Sequence, residues 1–217
     1  MEKYPSIKTV FLRDPENKYK TLLEGRYALP EFEYLKDNLW VFTEKIDGTN
    51  IRVMWDCAQP DMVRFAGRTD KADVPPFLLA KLQDIFIPEA FQKAFDPDSM
   101  VCLYGEGYGA RIQKGGGNYI PDGVDFILFD VMVGDAYLER LNVEDVARKL
   151  GIRAVPIVWA GTLRDAVELV REGFRSVLAE ADIIAEGLVM RPWIELMTRR
   201  GNRIITKIKH KDFPKEA

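Results

Sequence analysis

A single α+β domain built on antiparallel sheet is predicted by three features of the chain. The pattern is strand-rich with only a few helices. Two of its β-prone runs are separated by the turn pair Asp47-Gly48, which suggests an antiparallel meander. No repeat and no low-complexity linker marks an internal boundary within residues 1–217.

The elements follow in order. Residues 38–45, 50–54 and 62–66 read as the strands of the meander. Residues 77–95 have helical spacing, but Pro88 lacks an N–H and cannot continue a helix, so two short helices are expected there. Val101 to Tyr104 is a further strand candidate. The segment GEGYGARIQKGGGNYIPDG (105–123) is too rich in glycine for regular structure and predicts a long functional loop. VDFILFDVMV (124–133) reads as a buried strand. Helices are expected over 143–150 and 163–172, opened by Asn142 and Thr162 and closed by Gly151 and Gly173. The end returns to strands at 186–192 and 202–209.

Composition sets the outer bounds. With 47% hydrophobic and 11% aromatic residues among 217, the chain can bury a substantial core and has the size of an enzyme domain. A formal charge of −3 argues against a protein coated uniformly in nucleic acid. Locally the balance reverses, because Leu196 to Lys211 holds three Arg, three Lys and one His with no acid. Cys57 and Cys102 stand in no metal-type spacing, which predicts reduced thiols in a cytoplasmic protein. The opening MEKYPSIKTV has no apolar leader, and no apolar stretch reaches the length of a membrane span, so no membrane partner is expected.

The chemistry concentrates around TEKIDGTN (43–50). Side chains two apart on a strand face the same way, so Lys45 and Asp47 address one site if the strand continues through both. Lys207 and Lys209 pair in the same manner. A lysine that attacks phosphorus must first lose its proton, and its unperturbed pKa is about 10.4. Nearby cations lower that value and nearby carboxylates raise it, so Lys207 and Lys209 suit activation and phosphate binding, while Asp47 suits a metal shell or a hydrogen bond. Glu106 and Glu186 each adjoin a glycine at a strand end, where a carboxylate can reach a hydrated Mg²⁺. Taken singly, each of these features is also ordinary turn chemistry.

Two glycine motifs lead elsewhere and fail. Gly105 to Ala110 fits G-x-G-x-x-G/A after a strand, but residues 111–117 are no helix, so the dinucleotide-binding dipole is missing. Gly115-Gly116-Gly117-Asn118 lacks the Gly-Lys-Ser/Thr ending of a P-loop. His210, the one histidine, is expected at the surface within the basic run.

Order and spacing raise the signal. KIDGTN at 45–50, GRTD at 67–70, YGEG at 104–107, DFILFDV at 125–131, EGLVMRP at 186–192 and TKIK at 206–209 resemble the motifs of the covalent nucleotidyltransferase superfamily of ligases and capping enzymes. Glu44-Lys45-Ile46, Asn50, the Gly109–Lys114 loop, Ala185-Glu186-Gly187 and Gly201-Asn202-Arg203 leading to Lys207-Ile208-Lys209 are similar to the type 2 RNA ligases of bacteriophages, which seal nicks in duplex RNA. The resemblance runs from about Asn38 to Phe213.

It implies an antiparallel-sheet nucleotidyltransferase domain, of the ATP-grasp-like ligase adenylylation type, with AMP bound between sheets. Lys45 would attack the α-phosphate of ATP. Glu44 would read the adenine amino group, Phe129 would stack on the base, and Glu106 would contact the ribose. Arg68 would bind the AMP phosphate, Lys207 and Lys209 the α-phosphate and leaving group, and Asn50 would serve nick sealing. Glu186, with Glu106 and Asp47, would serve Mg²⁺, for which Mn²⁺ can substitute. The implied activity is ATP-dependent joining of 5′-phosphate to 3′-hydroxyl ends in RNA repair, on nicked duplex RNA or an RNA/DNA hybrid. A minimal ATP-dependent DNA ligase and a catalytically silent nucleic-acid-binding module are the alternatives; a guanylyltransferase is disfavoured by Glu44. Asp47 is the superfamily's usual residue, where some type 2 ligases carry another. Only Asp212 to Ala217 follow the last lysine motif, which leads to the expectation of a catalytic core without a C-terminal accessory domain, served by an accessory protein or by its own loops.

Overall fold

The computed structural model describes residues 3–213. In chain order the strands are β1 (Lys8–Thr9), β2 (Phe11–Arg13), β3 (Leu22–Tyr27), β4 (Trp40–Lys45), β5 (Thr49–Asp56), β6 (Val63–Ala66) and β7 (Met100–Gly109). They continue with β8 (Val124–Val133), β9 (Ala136–Tyr137), β10 (Arg153–Ala154), β11 (Ile157–Gly161), β12 (Gly187–Pro192) and β13 (Thr206–Lys209). The helices are α1 (Pro30–Tyr34), α2 (Pro76–Ile85), α3 (Pro88–Ala94), α4 (Arg140–Lys149) and α5 (Leu163–Glu172). The fold class is α+β with antiparallel pairing dominant, as the sequence predicts.

Two compact units divide these elements. Among the described residues, the six-stranded unit takes 3–5 and Asp47–Val155; the five-stranded unit takes Ser6–Ile46 and 156–213.

The five-stranded unit has the order β1-β13-β12-β4-β11, antiparallel except where β1 pairs β13. On β4 the side chains alternate: Trp40, Phe42 and Glu44 are buried, while Val41, Thr43 and Lys45 are only partly covered. Trp40 and Phe42 join Leu188, Met190 and Ile208 in a core capped by Leu163, Ala166, Val167 and Val170 of α5. Those four recur at helical spacing, so α5 buries one stripe against the sheet. Its start is set locally. Thr162 accepts from the Asp165 amide at 3.2 Å and Asp165 accepts from the Thr162 amide at 2.7 Å, a complete capping box.

The six-stranded unit has the order β10-β8-β7-β5-β6, with β9 on β8. Ile51, Val53, Leu103, Phe126 and Leu128 form its apolar face, covered by Leu78 and Leu82 of α2 and Val143 and Val146 of α4. The opposite face is polar by comparison. Asn50 lies opposite Glu106 and Arg52 opposite Tyr104 in the β5–β7 register, and Tyr104 lies opposite Asp130 on β8. Arg52 and Asp130 are fully buried there; Arg52 donates to the Gly67 carbonyl at 3.0 Å and pairs with Asp70, and Asp130 accepts from the Tyr4 hydroxyl at 2.5 Å.

Several local expectations are corrected. Residues 38–45 and 50–54 do not form neighbouring strands of a meander: β4 pairs with β11 and β12, and β5 with β6 and β7. Long-range burial of Phe42 in one core and Ile51 in the other outweighs the short-range hairpin that Asp47-Gly48 favours. The glycines of 105–109 are strand, not loop, because β7 runs to Gly109. A Cβ on Gly105 would stand 2.1 Å from the Phe126 ring, so the aromatic on β8 occupies the space that a side chain would need. The loop proper is 110–123 and contains one turn of 3₁₀ helix over Gly116–Asn118. Helix α4 starts before Asn142, with the Glu139 carbonyl accepting from Val143. The last strand is shorter than 202–209, since residues 202–205 return from a hairpin and pairing resumes at Thr206.

Candidate active site

In the five-stranded unit, three adjacent strands bring three charged side chains together. Gly187 at the start of β12 pairs with Lys45 on one side and Lys209 on the other. Glu186, the residue before it, is thereby placed between the two lysines. Its carboxylate accepts from Lys45 Nζ at 2.5 Å through Oε2, and Lys209 Nζ lies 2.6 Å from Oε1. Lys45 Nζ also donates to the Ile46 carbonyl at 3.2 Å. A Cβ at position 187 would stand 2.0 Å from the Ile208 carbonyl oxygen, and the backbone has φ +154°. Only glycine lets the strands close there. Burial drives the Glu186 carboxyl upward, but the charges and hydrogen bonds of Lys45 and Lys209 outweigh it and hold the group below the ordinary glutamate range.

Lys207 shares the partly covered side of β13 with Lys209, alternating with buried Thr206 and Ile208. Glu44 points to the other face. It is 2% exposed, and its oxygens accept from the Ser176 hydroxyl at 2.5 Å and from the Val177 amide at 2.9 Å. Burial raises its carboxyl above the ordinary range, opposed by those two bonds. Ser176 Oγ also accepts from the Leu178 and Ala179 amides, so the turn after α5 is organised around the Glu44 carboxylate. No periodicity or motif in the sequence marks Ser176 or Val177.

The other residues expected at a site from the sequence lie in the six-stranded unit. Strand β4 ends at Lys45, so the extended chain that would align Lys45 with Asp47 is not formed. The Asp47 amide instead lies 3.4 Å from the Tyr119 hydroxyl. Asn50 and Glu106 face each other across β5 and β7, both half-buried. Asn50 Oδ1 is buried and has no hydrogen-bond partner among the described residues. Phe129 is the extra residue of a bulge between β7 and β8 and meets the Tyr4 ring edge-on at 5.0 Å. Arg68 is exposed in the turn after β6.

His210 is not at the surface as expected. It is half-buried, with Nδ1 2.8 Å from the Val170 carbonyl and its amide bonded to the Glu186 carbonyl at 2.9 Å. Cys57 and Cys102 are free thiols. No described helix is long and apolar enough to cross a membrane.

The model of one family, RNA ligase, matches residues 38–209, most of the chain. The chain belongs to the RNA ligase family. Solved structures agree in fold. A mutant of the Naegleria gruberi RNA ligase with ATP and Mn matches with a TM-score of 0.64 and 18% identity, over 96% of this chain and 58% of that one. The N. gruberi RNA ligase with PPi gives 0.63 and 20%, over 96% and 58%. Another mutant, with AMP and Mn, gives 0.63 and 19%, again over 96% and 58%. This RNA ligase family member therefore spans 58% of the length of each of these proteins. No curated protein matches it.

No three His, Cys, Asp or Glu side chains gather into a metal cage among the described residues. Mg²⁺ that accompanies a nucleotide needs no such cage, since phosphate and water supply most of its oxygens and one or two carboxylates suffice. Glu186, partly buried and held as a carboxylate, fits that need.

Proposed function

We propose that this chain is the adenylyltransferase core of an ATP-dependent RNA ligase, similar in reaction to the type 2 nick-sealing enzymes and serving RNA repair. The observation that carries the reading is the Lys45–Glu186–Lys209 cluster, set in a chain of the RNA ligase family.

The chemistry proceeds in three transfers. The Lys45 amine forms a bond to the α-phosphorus of ATP, loses a proton, and expels pyrophosphate. A 5′-phosphate oxygen of the polynucleotide then attacks the same phosphorus; the nitrogen–phosphorus bond breaks and AMP moves to the end. The 3′-hydroxyl attacks that end's own phosphorus, and AMP leaves.

Each side chain has a task in this scheme. Glu186 aims the Lys45 amine; because its carboxyl lies below the ordinary range, it orients that amine rather than stores its proton. Lys207 and Lys209 offset phosphate charge from one face of the sheet. Asn50 Oδ1, buried without a partner, and Glu106 opposite it offer acceptors for sugar hydroxyls. Arg68 supplies a fork for phosphate and Phe129 an apolar face for the base. Glu44 reads the adenine amino group only by exchanging one of the donors it now holds. A Mg²⁺ arriving with the nucleotide would be held by Glu186 and would neutralise phosphate charge, a task Mn²⁺ could also fill.

Incubation with each labelled NTP and Mg²⁺, followed by denaturing electrophoresis, tests the reading. Acid-labile label from ATP and not from GTP is expected. A protein that takes no label from ATP ends it.

A further inference from the structure

The five-stranded unit carries a projecting hairpin that none of this chemistry uses. After β12 ends at Pro192, the chain turns back through Ile204 N to Leu196 O at 3.0 Å and a bridge between Met197 and Arg203. The tip is closed by Thr198 N to Asn202 O at 2.8 Å and Gly201 N to Thr198 O at 2.9 Å. The Thr198 hydroxyl accepts from the Arg200 and Asn202 amides as well. Such a tip presents its side chains in a defined arrangement.

What it presents is unusual for a free surface. Trp193, Ile194 and Met197 are 61%, 73% and 63% exposed. A run of large apolar side chains left in water costs free energy unless something covers it. Arg199 and Arg200 stand exposed at the tip of the same segment, and neither has an acidic partner among the described residues. The single acid between Arg191 and Lys211 is Glu195. It is already neutralised, accepting from Arg203 at 3.2 and 3.1 Å with Arg191 3.7 Å away. The hairpin is therefore apolar and net positive at once. Unpaired guanidiniums at the tip and an exposed indole at the base of the same segment match a polyanion with flat bases: phosphate takes the forks, and a base takes the indole face. An apolar protein partner would leave both guanidiniums without counter-charges.

We propose that the hairpin Trp193–Ile204 is an RNA-docking surface, with Arg199 and Arg200 on backbone phosphates and Trp193 stacked on a base. The inference rests on the reading of the chain as an RNA ligase and adds to it the surface that holds the polynucleotide.

The test is fluorescence anisotropy of a labelled RNA oligonucleotide against the full chain, at sodium chloride from about 50 to 200 mM. Each phosphate contact contributes about 0.7–0.9 to the slope of log affinity against log salt, so R199A/R200A is expected to reduce that slope by about 1.4–1.8. W193A is expected to weaken binding roughly tenfold with the slope unchanged, and W193F to restore most of it. R199K/R200K keeps both charges and is expected to keep the slope. Melting temperatures equal to wild type separate lost binding from lost folding; for a variant that melts lower, the conservative variants decide. Affinity and slope unchanged in R199A/R200A and W193A overturn the proposal and leave a protein partner as the occupant. Labelling with ATP is run in parallel on the unaltered chain. Absence of label together with the expected RNA results removes the ligase reading and leaves the docking surface standing.

Discussion

The Lys45 ammonium lies 2.5 Å from the Glu186 carboxylate, because β12 places Gly187 in register with Lys45 on one flank and Lys209 on the other. One acid thus serves two cations across three strands. This arrangement separates what the amine does as a charge from the nucleophilic role proposed for it. Lys45→Arg keeps a cation beside Glu186 but stays protonated and cannot attack. Label from ATP is expected to fall to background in Lys45→Arg and Lys45→Ala alike, while Lys45→Arg keeps more of the wild-type melting temperature. Label surviving in either variant removes the covalent lysine.

Glu186 also predicts an acid dependence. Its carboxyl is depressed in the folded chain, so it binds fewer protons folded than unfolded in the window between the two pKa values. The stability it contributes is full above the ordinary glutamate pKa of about 4.3 and is lost as pH falls through the lower folded value. Glu186→Gln leaves Lys45 and Lys209 without their counter-charge, at a cost of about 2–3 kcal/mol near pH 7. Thermal melts at descending pH should converge for wild type and Glu186→Gln. Parallel curves would show that the carboxylate is not the linked group.

Ser176 acts on Glu44 with the opposite sign. Burial raises the Glu44 carboxyl, so its ionisation opposes folding above the ordinary range, and the Ser176 bond relieves part of that. Ser176→Ala is expected to cost about 1–2 kcal/mol at pH 7 and less in acid, where a neutral carboxyl needs fewer donors. A denaturant-melt series over pH reads the difference directly; a cost that grows in acid contradicts the assignment.

Gly187 has no room for a side chain. Gly187→Ala puts a methyl 2.0 Å from the Ile208 carbonyl oxygen at φ +154°. The β12–β13 pairing must open to accept it, and with it the seat of Lys209. A loss of roughly 3 kcal/mol or more is expected in denaturant melts, against less than about 1 kcal/mol for Gly117→Ala, which meets open space. Equal effects would mean that the strands tolerate displacement there.

Substrate choice is read on nicked duplexes. A ribose on the 3′-hydroxyl side offers a 2′-hydroxyl as donor and acceptor and favours A-form geometry. Sealing should be much faster on such nicks than on all-DNA nicks. Equal or faster sealing of DNA moves the chain to the DNA ligase alternative.

Features governed by neighbours a few residues away could be read from the sequence alone. Thr162 and Gly173 bound α5 as expected, Pro88 splits the helical run into α2 and α3, and the apolar run at 124–133 is β8 over those same residues. The motif order that marks the RNA ligase family is likewise a property of the linear chain, and it covers the matched span. Non-local pairing lies beyond such signals. Asp47-Gly48 carries a good hairpin signature, yet β4 and β5 enter different sheets, because Phe42 and Ile51 bury in different cores. The same holds at the site. Sequence spacing aligned Lys207 with Lys209 on one strand, but Lys45, Glu186 and Lys209 meet only through the register of β4, β12 and β13. Glu44 found Ser176 through a contact 132 positions away. Caps and turns act over a single turn of chain, whereas register is decided by which distant side chains can be buried together, and only the folded structure resolves that competition.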